Sequence, residues 1–126
     1  MVWEMSSKGF LMTLSGYIPA LIEEDFDQLV SSALSNASLQ KEDITHWCIH
    51  PGGKKILEAV HHSLGFTNGQ LQHCYDVLHD YGNMSSPTVL FVLNRIRASL
   101  DKKRSNKIFG AAFGPGLTME TFILSA

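Results

Sequence analysis

Two polar side chains occupy equivalent places in this chain. His50 ends the short run Thr45-His46-Trp47-Cys48-Ile49 and is followed at once by Pro51-Gly52-Gly53, while Asn83 comes just before Ser85-Ser86-Pro87. Both tripeptides read as helix starts, where unpaired backbone N–H groups and the helix dipole favour negative charge and disfavour an imidazolium. A histidine kept neutral there can donate a hydrogen bond to a developing oxyanion, and an asparagine can supply a second donor. Two such donors suit a thioester carbonyl turning tetrahedral, or a decarboxylating acid turning into an enolate. Losing one donor costs about 2.7–4 kcal/mol in the transition state. The same two residues also fit a satisfied core histidine and an asparagine at a helix end, and spacing alone leaves both readings open.

Other reactive groups offer less. His46, Cys48 and His50 alternate and share one strand face, but they lack a clear fourth ligand and any paired-cysteine spacing, so no metal is expected. His61 and His62 are helix neighbours that cannot face one site, and His73 and His79 read as surface residues. Neither Cys48 nor Cys74 sits at a predicted helix N-terminus, so both read as buried, inert thiols. A thiolate partner for His50, if there is one, comes from elsewhere.

The elements that position these residues can be read from periodicity. Residues 1–14 make one or two strands, with Gly9 as a bulge or bend. From Pro19, Leu21, Ile22, Phe26, Leu29, Val30, Ala33, Leu34 and Ala37 trace one helical face. Residues 44–49 read as a strand covered on both sides, and Pro51 as the first turn of a helix carrying Ile56, Leu57, Val60 and Leu64 up to Gly65. A further helix is expected over 69–80, and another after a serine N-cap at Ser85-Ser86-Pro87. Strands over 108–113 and 117–124 flank Gly114-Pro115-Gly116. The order points to an α/β layered domain.

Composition bounds the rest. With 126 residues, 44% apolar and 17% charged, the chain is expected to form one globular domain. A net charge of -2 and a pI near 6.3 argue against nucleic acid or an anionic membrane surface as partner. Lys102-Lys103-Arg104 reads as a solvated helix end. Two cysteines and no charged-then-apolar leader suggest a cytoplasmic setting, and the longest apolar run, 89–93, is too short to span a bilayer.

The strings HPGG (residues 50–53), YGNMSSP (81–87) and FGPGLTMET (113–121), in this order and spacing, resemble the C-terminal domain of the chalcone synthase family, the type III polyketide synthases. The likeness runs from about residue 10 to 124. It implies an α/β, thiolase-like half, a layered sheet with buried and covering helices, over residues 1–126, without the N-terminal half that bears the nucleophilic cysteine. It further implies an acyltransferase domain that condenses an acyl-CoA starter with malonyl-CoA by decarboxylative Claisen chemistry and is inactive alone.

By this resemblance His50 and Asn83 are the catalytic pair that holds the thiolate and the oxyanion. Gly52, Gly53 and Lys55 would meet the coenzyme A chain, and Ser85 with Phe113, Gly114, Pro115 and Gly116 would shape the product cavity. Met12 aligns with the family's gatekeeping phenylalanine, which implies a more adaptable pocket, and Ala112 stands where glycine is usual. No cofactor is implied beyond coenzyme A thioesters as substrates. The implied partners are acyl-CoA, malonyl-CoA, the N-terminal half and a second copy in a homodimer, without nucleic acid or membrane. Two alternatives are a non-catalytic thiolase-like dimerisation or scaffolding module, and a fatty-acid-initiating ketoacyl synthase, whose HQAN and GNTS motifs differ from the HPGG and GNMS found here.

Overall fold

The computed structural model describes residues 2–6, 9–13, 18–67, 69–114 and 118–126, and within it residues 2–6, 9–13, Ile18 and Gly114 by their backbone alone. Strands β1 (Val2–Ser6) and β2 (Gly9–Thr13) pair antiparallel from Val2↔Thr13 to Ser6↔Gly9. Gly9 therefore opens a strand, and the register runs without a bulge.

Helix α1 (Ile18–Asn36) follows, with Ile22, Phe26, Val30 and Leu34 buried at a spacing of four, the row one helix face presents to a core. Leu29, which the periodicity assigns to that face, is exposed. After a 3-10 turn at Lys41–Asp43 come β3 (His46–Ile49), α2 (Lys54–Ser63), α3 (Gln72–Tyr81) and α4 (Thr88–Ser99). The hairpin β4 (Lys107–Gly114) and β5 (Thr118–Ser125) follows α4.

A three-stranded sheet, ordered β3-β4-β5, organises these elements. β3 and β4 run parallel, with His46 opposite Ile108 and Ile49 opposite Ala111, and α2, α3 and α4 make the crossover that a parallel pair requires. Alternation divides the side chains between two faces. On one, Trp47 packs against Phe109 and Phe66 at 5.4 and 5.2 Å, and Phe113 lies 5.8 Å from Phe26 of α1. On the other, the Cys48 thiol points to the Val89 carbonyl of α4 at 3.6 Å. With both faces covered, Trp47, Cys48 and Ile49 are all buried, which is why β3 reads as an unbroken apolar run.

Two predicted helix starts are built differently. Pro51 lies ahead of α2, not in its first turn. The Gly52 N–H donates to the His50 carbonyl at 2.9 Å, closing a three-residue turn around Pro51, and the first helical bond runs from Leu57 N–H to the Gly53 carbonyl. A ring that fixes φ near -65° suits such a turn as well as it suits a helix start. At α4 no serine side chain caps the helix. Backbone carbonyls of Ser85 and Pro87 take the Thr88 and Leu90 N–H groups at 3.1 and 2.9 Å instead.

Gly110, opposite Phe122 in the β4–β5 ladder, is required by packing: a methyl group there would sit 2.0–2.5 Å from the Phe122 ring. Gly110→Ala is expected to lower unfolding stability by about 1–3 kcal/mol, as overpacking does. A second change, Phe122→Leu, is expected to return part of the loss; equal denaturation midpoints for wild type and the single variant would refute this.

Candidate active site

The His50 backbone extends the parallel ladder one residue past β3, its N–H donating to the Ala111 carbonyl at 2.9 Å. The imidazole is thereby held at the C-terminal end of the strand, where the chain turns into α2. It is half-buried, and burial lowers its pKa below the ordinary histidine value. Among the described residues the ring has no hydrogen-bond or ion-pair partner, so nothing offsets that desolvation. The ring is neutral near pH 7, with a nitrogen free to donate or accept.

Asn83 arrives from the other side. α3 closes at Gly82, which has φ +71 and donates its N–H to the Leu78 carbonyl at 2.9 Å. The next residue, Asn83, accepts the Ser85 N–H on Oδ1 at 2.9 Å and donates from Nδ2 to the Gly52 carbonyl at 3.3 Å. Because Oδ1 is committed to a donor, the amide has one orientation, with the NH2 end turned to the His50 loop. One N–H of that group remains for a further acceptor.

Gly52 is where the two loops meet. A methyl group placed on it would lie 3.6 Å from Cδ2 and 3.9 Å from Nε2 of His50, and 3.2 Å from Cδ1 of Ile56. The Cδ2–Nε2 edge of the imidazole and the Asn83 amide are therefore both turned to one glycine. Gly53 differs, since a methyl there meets nothing within 4 Å and its φ of 169° is ordinary extended backbone. Lys55 is exposed in the first turn of α2, beside Lys54, whose ammonium lies 4.0 Å from Glu58.

The remaining candidates divide. Ser85 belongs to the same loop, at φ +67. Phe113 does not join the pair; it lines a largely apolar cavity of about 150 Å³ with Leu21, Ile22, Asp25, Phe26, Leu29 and Met119, a space that neither His50 nor Asn83 borders. Gly114 ends β4 opposite Thr118. Pro115 and Gly116, and the side chain of Met12, lie outside the described residues. Among the described residues no three histidine, cysteine or acidic side chains gather as a metal site would need, and no helix is long and apolar enough to cross a membrane. Cys48 and Cys74 are buried, and burial pushes both thiols up to about 12, which leaves them protonated at neutral pH.

One residue escaped the sequence reading. Thr88 is fully buried, and its hydroxyl bonds to Met84 N–H and Ser85 carbonyl in the Asn83 loop. A polar residue directly after the proline, where the helix is otherwise apolar, was the available signal.

The His50 shift has a sign that can be tested. Its folded pKa lies below the unfolded value of about 6.5, so the unfolded chain takes the proton first. Stability is expected to be full above that pH and to fall as pH drops through it, levelling once His50 protonates in the fold. Denaturant unfolding between pH 8 and 5 checks this: His50→Gln is expected to flatten the slope, and an unchanged slope would assign it to other groups.

The family model for chalcone and stilbene synthases, C-terminal domain, matches residues 2–126. The chain is 37% identical over 125 residues to "Probable polyketide synthase 1" of Dictyostelium discoideum, covering 95% of this chain and 4% of that protein. It is 34% identical over 125 residues to "Putative chalcone synthase" of Bacillus subtilis (strain 168), covering 99% of this chain and 34% of the relative. Among solved structures, the C-terminal type III polyketide synthase domain of Steely1, a type I/III hybrid from Dictyostelium, superposes with a TM-score of 0.83 at 36% identity. That match covers 98% of this chain and 35% of the other. The chain thus spans about a third of the length of the Bacillus relative and of the Dictyostelium domain.

Proposed function

The chain belongs to the chalcone and stilbene synthase family, as its C-terminal domain, and from that membership we propose that it carries half of the active site of a type III polyketide synthase-like acyltransferase. The other half, with the nucleophilic cysteine, is the N-terminal half of the same protein. The reading is carried by one observation, the convergence of the His50 imidazole and the Asn83 amide on Gly52.

In this reading the cysteine thiolate attacks the carbonyl of an acyl-CoA starter, and coenzyme A leaves as its thiolate. Malonyl-CoA then loses CO2. The electron pair of the broken C–C bond passes into an enolate, whose oxygen accepts hydrogen bonds from His50 Nε2 and Asn83 Nδ2. The enolate carbon attacks the acyl-cysteine carbonyl, a C–C bond forms, and the cysteine thiolate is released. Burial keeps the imidazole neutral, and a neutral ring still carries one N–H to donate to the enolate oxygen.

The coenzyme A chain passes over Gly52 and Gly53, where a methyl on Gly53 would meet only open space, and Lys55 meets a phosphate. Ser85, Met12 and the 113–116 loop shape the product cavity. The exposed Tyr81, Leu90 and Phe91, with the Tyr81 and Phe91 rings 5.2 Å apart, flank the Asn83 loop and suit burial by the N-terminal half. The whole protein acts as a cytoplasmic homodimer, and this chain alone is inactive for want of its thiolate.

The test uses a protein carrying both halves. His50→Ala and Asn83→Ala are each expected to lower kcat for CO2 release from malonyl-CoA by about 10²–10³-fold. Wild-type turnover in both variants would sink the proposal, and a chain that turns over unaided would remove the need for the second half.

A further inference from the structure

The loop that carries Asn83 is held by a residue for which the proposed chemistry has no direct use. Thr88, the first residue of α4, has no exposed surface, and among the described residues only Asn106 is likewise polar and buried. Both capacities of its hydroxyl are used within the loop: Oγ1 donates to the Ser85 carbonyl at 2.7 Å and accepts the Met84 N–H at 2.8 Å. The Thr88 N–H reaches the same Ser85 carbonyl at 3.1 Å. Ser85 stands at φ +67, a conformation that side chains other than glycine rarely adopt and that lasts only where neighbours enforce it.

Distances rank what orients the Asn83 amide. Its own bond to the Gly52 carbonyl is 3.3 Å, beyond the usual N–H···O range, and Asn83 is exposed, so that contact fixes little. The shorter bond is the 2.9 Å one from Ser85 N–H to Oδ1, and the direction of that N–H depends on the left-handed turn. The shortest bonds in the chain of support are the two made by the Thr88 hydroxyl.

We propose that Thr88 is a positioning residue for Asn83: its buried hydroxyl locks Met84 and Ser85 in the turn that aims the Asn83 amide at Gly52 and at the oxyanion. This rests on the reading of Asn83 as an oxyanion donor. Valine at 88 keeps the shape but makes neither bond, whereas serine keeps both.

The test measures kcat and KM for malonyl-CoA decarboxylation in a protein carrying both halves. The set comprises wild type, Thr88→Val, Thr88→Ser, Asn83→Ala and the Asn83→Ala/Thr88→Val double variant. Thr88→Val is expected to lower kcat by up to about 10²-fold, the scale of a displacement near 1 Å, with little change in KM. Thr88→Ser is expected to stay close to wild type, and Thr88→Val to cost nothing further once Asn83 is alanine. Should the valine variant fail to fold, Thr88→Ala is read in the same cycle. Equal losses in both backgrounds, or no loss from the Thr88 variants while Asn83→Ala is impaired, overturn the inference and leave the oxyanion reading standing. Wild-type turnover by Asn83→Ala overturns both.

Discussion

The parallel pairing of β3 with β4 is the constraint on which everything else rests. It begins at the Thr45 N–H, which donates to the Lys107 carbonyl at 2.9 Å, and ends at the bond from His50 to Ala111. Parallel neighbours cannot be joined by a hairpin, so the chain between them must leave the sheet and return, and it does so through three helices. The start of α2 and the junction of α3 with α4 are thereby brought to the end of the sheet where β3 stops. Ligand sites of open α/β sheets lie at the carboxyl ends of strands for the same reason.

Much of this was legible in the residues, and the misreadings have physical causes. The resemblance implied a thiolase-like α/β layered fold, and the fold is that of the type III polyketide synthases. β3 could be read because burial on both faces leaves no polar residue between Trp47 and Ile49. Pro51 was misplaced because one fixed dihedral serves both a helix start and a tight turn, and only the Gly52 bond to His50 separates them. The serines at 85 and 86 look like caps, yet a left-handed Ser85 turns its carbonyl to the helix, and that geometry is set by Thr88, three residues on. Leu29 fits a helical stripe but faces outward, since periodicity gives a face without saying how wide its cover is.

The candidate site was half legible. The residue types at 50 and 83 announced two donors, but the contact that joins them runs through the backbone of Gly52, and backbone carbonyls leave no trace in a sequence. The reason for a neutral imidazole also shifted. Helix-start electrostatics was the expectation, whereas in the structure desolvation is the operative cause. Phe113 shows the opposite case: its motif assigns it to the product-cavity loop, and strand alternation decides that its ring packs on Phe26 of α1.

The long span of the β3–β4 closure also orders events in time. Thr45 and Lys107 are separated by 62 positions, and the hydroxyl of Thr45 bonds to Lys107 as well as its backbone does. Contacts of such sequence separation form late, after the loop-closure entropy has been met, whereas α2, α3 and α4 can gain helix locally and early. A chain with its helices formed but its sheet still open would therefore have the His50 and Asn83 side chains without their arrangement. The donor pair is a property of the closed topology.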